Sequence, residues 1–306
     1  MPLHPTVKLI IDKTYRSDFG NLHKKPISEV RNAFKKGTST PHRVIDNKFL
    51  EVITLSSGAS IRLHTPKSIK NDGLLFYIKA CGYSFGHNTD SDLGCQRLAN
   101  HLNCKVAAIE HRLAPEFKFP LPFEDCINAV EYLYHYHEKY NINPDKFISW
   151  GESSGANISA GLGHYFRDLG QQKLKTQVLF YPPLDYSRSY DSNFKYGHKF
   201  LTEISISDYF IRQYVENESD LAHKYISPML STNFCGLPHI VLLSAQYDLF
   251  SDEHAKYAEK IAQAGGSVDI LYATGLVHGF LWHQKYIQEV SYYVRYALEK
   301  VQEALK

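Results

Sequence analysis

The chain has 306 residues, 43% hydrophobic and 22% charged, which is material for one large α/β domain or two small ones with the charge content of a soluble protein. Its formal net charge of +2 gives no electrostatic argument for nucleic acid or an anionic surface as partner. No run approaches the ~20 apolar residues of a membrane span, and Leu9-Ile10-Ile11 is too short for the core of a signal peptide.

The five cysteines, Cys81, Cys95, Cys104, Cys126 and Cys235, are odd in number and form no Cys-x-x-Cys pair. They read as reduced thiols of a cytoplasmic protein. Residues 1 to about 45 are mixed and basic and hold one predicted helix, Ile27 to Lys36. Phe19, Leu22, Ile27, Val30 and Phe34 give this segment something to pack with, and Gly37-Thr38-Ser39-Thr40-Pro41 reads as a linker.

Strands are predicted at 49–55 and 59–64 around Ser56-Ser57-Gly58, a hairpin signal. Leu74-Leu75-Phe76-Tyr77-Ile78 is continuously apolar, as a strand buried on both faces is. The chain then alternates: helix 91–102, strand 106–109, helix 123–140, strand 146–150, a helix after Ser153, and strand 177–181. Strand 239–243, helix 252–264, strand 267–272 and a last helix near 284–304 complete it. Such alternation predicts an α/β fold with a mostly parallel central sheet and helices on both faces. The alternation breaks at about 184–230, a Tyr-rich stretch with a helix near 205–216 and no strand signal, which reads as a cap insertion.

Within this pattern, Gly151-Glu152-Ser153-Ser154-Gly155 sits between a strand and a helix of small residues. That context gives Gly-x-Ser-x-Gly its meaning, a sharp turn presenting one hydroxyl above the sheet. A serine nucleophile needs a base and a group to orient the base. Asp248 and His278 follow in that order, each just past a predicted strand. Gly275 and Gly279 would allow a tight loop around His278. Taken singly, Asp248 reads more often as a loop or capping aspartate, and His278, one of 16 histidines, more often as structural. Asp252 reads better as the N-cap of the following helix, and Glu152 as a structural acid. His164, His239 and His283 fit the strand-end position less well. The oxyanion of an acyl-transfer intermediate needs fixed N–H donors. One is expected from Ser154 and others from the loop Lys79-Ala80-Cys81-Gly82-Tyr83-Ser84-Phe85-Gly86.

Several strings together resemble the hormonesensitive-lipase-like family of α/β-hydrolases, the esterases with a His-Gly-Gly-Gly loop. His111-Arg112-Leu113-Ala114-Pro115-Glu116 is similar to the family's Tyr-Arg-Leu-Ala-Pro-Glu, and Gly151-Glu152-Ser153-Ser154-Gly155 to its Gly-Asp-Ser-Ala-Gly. Asp248-Leu249-Phe250 and His278-Gly279-Phe280 fall in family order. The resemblance, which runs from about residue 49 to the C-terminus, implies an α/β-hydrolase domain over 46–306, capped by residues 1–45 and the 184–230 insertion. It implies a carboxylesterase acting on short- to medium-chain acyl esters, with Ser153 as nucleophile, His278 as base and Asp248 as its orienter. Cys81, Gly82 and Ser154 would supply the oxyanion hole, and Tyr83, Tyr186 and Phe210 would wall the pocket. No metal or cofactor is implied; the expected partner is a small-molecule ester, and a homodimer through the last strand follows by resemblance. The departures are Lys79, Ala80 and Cys81, where the family has His-Gly-Gly. They motivate a second reading, a weakened homologue that binds small molecules, while an amide-directed deacetylase with the same triad is a third. Cys81 reads first as a small buried hydrophobe and second as a reactive thiol beside the nucleophile.

Overall fold

Eight strands form one sheet in the computed structural model, which describes residues 1–16, 18–37, 46–86 and 89–306. In chain order they are β1 (Leu50–Thr54), β2 (Ser60–His64), β3 (Leu74–Ile78), β4 (Lys105–Glu110), β5 (Phe147–Glu152), β6 (Thr176–Phe180), β7 (His239–Tyr247) and β8 (Val268–Val277). Their spatial order is β1-β2-β4-β3-β5-β6-β7-β8. The front hairpin β1–β2 is antiparallel and joins β4 antiparallel; every pairing from β4 to β8 is parallel.

The helices are α1 (Pro5–Tyr15), α2 (Ile27–Gly37), α3 (Thr89–Leu102), α4 (Leu121–His135), α5 (His137–Tyr140), α6 (Ser154–Asp168), α7 (Asp191–Tyr196), α8 (Ile204–Tyr214), α9 (Ser251–Gln263) and α10 (Val290–Ala304). They cover both faces because the central strands are apolar on both. One face places Phe76, Ile78 and Phe147 against Val130 and Leu133 of α4 and Ile158 and Leu162 of α6. The opposite face places Leu75, Ile148 and Val178 against Val7 of α1, Ala99 of α3 and Val301 of α10. Each fully buried Leu, Ile or Phe side chain contributes about 1.5–3 kcal/mol by leaving water.

Several predicted boundaries shift. The helix expected at 123–140 is two helices, broken where Tyr136 leaves helical geometry (φ −99°, ψ 26°). β8 continues to Val277, so Gly275 lies inside the strand and not in a loop around His278. There the register of β7 and β8 shifts, and Gly275, at φ +75°, takes other partners: its N–H donates to Gln246 Oε1 (2.8 Å) and its carbonyl accepts His4 N–H (2.9 Å). The last helix begins at Val290; His283 closes a separate 3₁₀ turn, Phe280–His283. Asp252 is not the N-cap of α9. That position is Phe250, and Asp252 in the first turn accepts the Ser192 N–H (2.8 Å) from the insertion.

The N-terminal segment holds one helix more than expected. In α1, Pro5 occupies the first turn, where a missing N–H costs nothing, and Val7 and Ile11, one turn apart, are buried. The linker reading at 37–41 and the boundary at 45 fall largely on residues 38–45, outside the described residues, as do the side chains of Phe19 and Phe34. Leu22 and Val30 are buried. Among the described residues, 184–230 holds α7, α8 and two 3₁₀ turns and no strand. It meets the N-terminal segment through Tyr15 Oη–H to Glu203 Oε1 (2.7 Å) and Tyr209 Oη–H to the Lys25 carbonyl (2.9 Å).

Two histidines are buried in fixed neutral tautomers. His254 on α9 donates from Nε2 to the Pro182 carbonyl (2.8 Å), which leaves Nδ1 to accept from Ser244 Oγ (2.7 Å). Burial lowers its pKa from near 6.5 to about 4, and that of His164 on α6 to about 3. The unfolded chain binds these protons at ordinary pH values and the folded chain does not, so stability present above pH ~6.5 is lost as pH falls toward 4. Urea midpoints measured from pH 7.5 to 4.5 should decline through this range, and His254→Gln should decline less steeply than the parent.

Candidate active site

β5 runs directly into the turn at Ser153, whose backbone sits at φ 50°, ψ −120°, a strained conformation for a residue with a side chain. α6 starts at the next residue. The turn closes only because two glycines permit it: a Cβ on Gly155 would stand 2.1 Å from the Ile78 carbonyl oxygen, and one on Gly151 would stand 2.5 Å from that of Gly155. The Ser153 N–H donates to the Phe180 carbonyl (2.9 Å), fastening the turn to β6.

The structure brings the three residues expected at the strand ends into one line. Ser153 Oγ lies 2.8 Å from His278 Nε2, and His278 Nδ1 lies 2.9 Å from Asp248 Oδ2. The carboxylate can only accept, so Nδ1 carries the imidazole proton and Nε2 is left to accept from the serine hydroxyl. Asp248 follows the last residue of β7 and is buried; its other oxygen accepts the Phe250 N–H (3.0 Å). The rings of Tyr181 and Phe250 flank the imidazole at 4.8 and 5.5 Å between centroids.

Beside Ser153 runs the loop 79–86. Gly82 has φ +48°, and a Cβ there would come within 2.9 Å of the Phe210 ring. The N–H groups of Gly82 and Ser154 make no hydrogen bond among the described residues. The third expected donor is differently placed: Cys81 N–H donates to the side-chain Oγ of Ser154 (3.1 Å). The loop is held from outside by contacts with no signal in its own sequence. Ala114 N–H donates to the Tyr83 carbonyl (3.0 Å), and Arg31 on α2 donates to the carbonyls of Ser84 (2.8 Å) and Ala114 (2.7 Å) while pairing both oxygens of Glu116 (2.6 and 2.7 Å). Arg112 in turn grips the buried Asp125 through Nε (2.8 Å) and a second guanidinium nitrogen (2.9 Å). The Arg-Leu-Ala-Pro-Glu string is therefore a clamp behind the loop.

A cavity of about 1310 Å³ opens in front of Ser153 and His278. Tyr83, Tyr186 and Phe210 all line it, but Tyr83 is nearly closed off, its hydroxyl bonded to Asn157 Oδ1 (3.0 Å) and to the Tyr186 hydroxyl (2.7 Å). Ile10 of α1, Leu98 of α3 and Leu298 of α10 extend the wall; their distance in sequence left no signal. Glu152 also borders it, within 3.0 Å of the Tyr77 hydroxyl. Burial holds the Glu152 carboxyl above the usual carboxylate range, against the pull of that hydroxyl. Among the described residues, no group of three or more His, Cys, Asp or Glu is placed to hold a metal ion.

A strand, a strained serine turn and a helix at the carboxyl edge of a largely parallel sheet define an α/β-hydrolase. The family model of the alpha/beta hydrolase fold matches residues 75–282. The chain belongs to the hormonesensitive-lipase-like family of α/β-hydrolases. It is 25% identical over 295 residues to an arylesterase of Saccharolobus solfataricus, covering 95% of this chain and 96% of that one. It is 27% identical to an arylacetamide deacetylase of Oryctolagus cuniculus, covering 74% of each. The solved structure of a hyperthermophilic esterase from the archaeon Pyrobaculum calidifontis superposes with a TM-score of 0.87 over 100% of both chains, at 26% identity.

The Ser154 hydroxyl competes with any bound oxyanion for the Cys81 N–H, at a cost of about 1 kcal/mol for the hydrogen bond given up. Ser154→Ala should remove that competitor and raise kcat on a p-nitrophenyl ester a few-fold, to at most about tenfold, with little change in KM.

Proposed function

We propose that the protein is a serine carboxylic-ester hydrolase acting on short- to medium-chain acyl esters through an acyl-enzyme. The observation that carries this reading is the unbroken line from Ser153 Oγ to His278 Nε2 (2.8 Å) and from His278 Nδ1 to Asp248 (2.9 Å). Ser153 Oγ attacks the acyl carbon as its proton passes to Nε2 of His278. Asp248 keeps the imidazole in the tautomer that can take that proton and stabilises the imidazolium. Negative charge on the carbonyl oxygen falls to the N–H groups of Gly82 and Ser154 at the start of α6, and to Cys81 N–H once it leaves the Ser154 hydroxyl. The imidazolium then protonates the departing alcohol, and water repeats the sequence on the acyl-enzyme.

Residues 1–45 and the 184–230 insertion act as the cap, a reading supported by Ile10, Tyr186 and Phe210 in the cavity wall. The place of β8 at the end of the sheet supports a homodimer formed through that strand. Five unjoined thiols favour a reducing compartment, the cytoplasm. No helix among the described residues is long and apolar enough to cross a membrane. An amide substrate passes through the same tetrahedral intermediate, and the likeness to an arylacetamide deacetylase supports a second reading in which an arylamide is cleaved.

Turnover of p-nitrophenyl esters from acetate to decanoate, with a p-nitroanilide of matching acyl group, tests both. Ser153→Ala should lower kcat by about 10⁴ or more, and a fluorophosphonate should label Ser153 alone. Wild-type turnover of every substrate at the level of Ser153→Ala, with no label on Ser153, would leave a small-molecule binder and refute the esterase.

A further inference from the structure

Three positions at which the chain differs from its family's motif strings touch one another in the fold. Cys81 stands where the loop has glycine, His111 where the next string has tyrosine, and Ser154 where the elbow has alanine. Cys81 Sγ lies 3.7 Å from His111 Nε2 and 3.9 Å from Ser154 Oγ, and all three side chains are buried. The tautomer of His111 follows from its other nitrogen: Nδ1 lies 2.7 Å from the Arg112 carbonyl, which can only accept, so Nδ1 holds a proton and Nε2 faces the sulfur as a base. A thiol facing an imidazole whose far nitrogen is fixed by a carbonyl is the arrangement that activates a cysteine nucleophile. Cys81 borders the large cavity in front of Ser153 and a second cavity of about 260 Å³ behind the loop, which His111 and Lys79 also line. Burial alone would push the Cys81 thiol up, but the imidazole, the Lys79 ammonium and the Ser154 hydroxyl outweigh it and hold its pKa below that of an ordinary thiol. By contrast, burial pushes Cys95, Cys104 and Cys126 up, and among the described residues none of these has an imidazole bonded to it.

We propose that Cys81 is a peroxide-reactive thiol with His111 as its base, and that its oxidation to a sulfenic acid disables the oxyanion loop. The thiol proton passes to His111 Nε2. The thiolate attacks one oxygen of a hydroperoxide, an S–O bond forms as the O–O bond breaks, and sulfur gives up two electrons. The departing oxygen takes the proton from the imidazolium and leaves as water or an alcohol. The new S–OH group sits within reach of the Ser154 hydroxyl and of the Cys81 N–H that the hydroxyl already accepts. It therefore disturbs the donors beside Ser153, and an added thiol reverses the change. The loss of hydrolysis rests on the esterase reading; the reactivity of the thiol does not.

The test treats the whole protein at neutral pH with hydrogen peroxide, traps sulfenic acid with dimedone, and maps the adduct by peptide mass while hydrolysis of p-nitrophenyl acetate is followed. The adduct should form on Cys81 and not on Cys95, Cys104 or Cys126. Hydrolysis should fall in step by about tenfold or more, and dithiothreitol given without dimedone should restore it. His111→Gln should slow adduct formation by about tenfold or more, and Cys81→Gly should lose none of its own untreated rate to peroxide. Absence of the Cys81 adduct in the folded wild type, or an adduct with unchanged hydrolysis, overturns the proposal. Untreated protein that hydrolyses no ester refutes only the esterase, since the adduct still reports on Cys81.

Discussion

The carbonyl of Ile78 occupies the space that any side chain at residue 155 would need. That contact lets the start of α6 lie against the end of β3, and the rest of the site depends on it. It brings the loop after β3 beside the turn after β5, so that Gly82, Ser154 and the Ser153 hydroxyl share one small volume. Moving α6 outward by the width of a methyl group would separate Ser153 from loop 79–86. Such a shift is resisted because β3 and β5 are neighbours in fixed parallel register, Tyr77 opposite Trp150 and Ile78 opposite Gly151.

Electrostatics around this contact is arranged by acceptors that cannot donate. The Asp248 carboxylate fixes the proton of His278 on Nδ1, the Arg112 carbonyl does the same for His111, and the Pro182 carbonyl fixes His254 in the opposite sense. Three buried imidazoles are thus held in known tautomers by partners of unambiguous chemistry. What separates them is what the free nitrogen faces: a serine, a cysteine, and the serine hydroxyl of a neighbouring strand. Only the first two border the large cavity through the group they face.

Much of this was legible in the chain because parallel sheets place their chemistry at strand ends. Ser153, Asp248 and His278 each follow a run of apolar residues, and one-dimensional order was enough to find them. Boundaries were less legible. β8 overruns its predicted end because Gly275 draws partners from the N-terminal residues and from Gln246, which no local pattern announces. Asp252 carries a capping residue's chemistry but satisfies the N–H of Ser192 sixty positions away. The supports of the loop were the least legible. Arg31 and Ser84 are 53 positions apart, and Cys81 and His111 are 30 apart. Neither pair belongs to a shared periodicity, so each appears only once the chain has folded.

Arg31 gives this arrangement a mechanical side. One guanidinium on α2 holds a carbonyl of loop 79–86, a carbonyl of the string behind it, and the carboxylate of Glu116. Just ahead of that helix, the Lys25 carbonyl accepts the Tyr209 hydroxyl of the 184–230 insertion. Loop 79–86 and the 184–230 insertion are thus both tied to one stretch of the N-terminal segment. Loss of the N-terminal segment would therefore remove a support of loop 79–86 and a contact of the 184–230 insertion together.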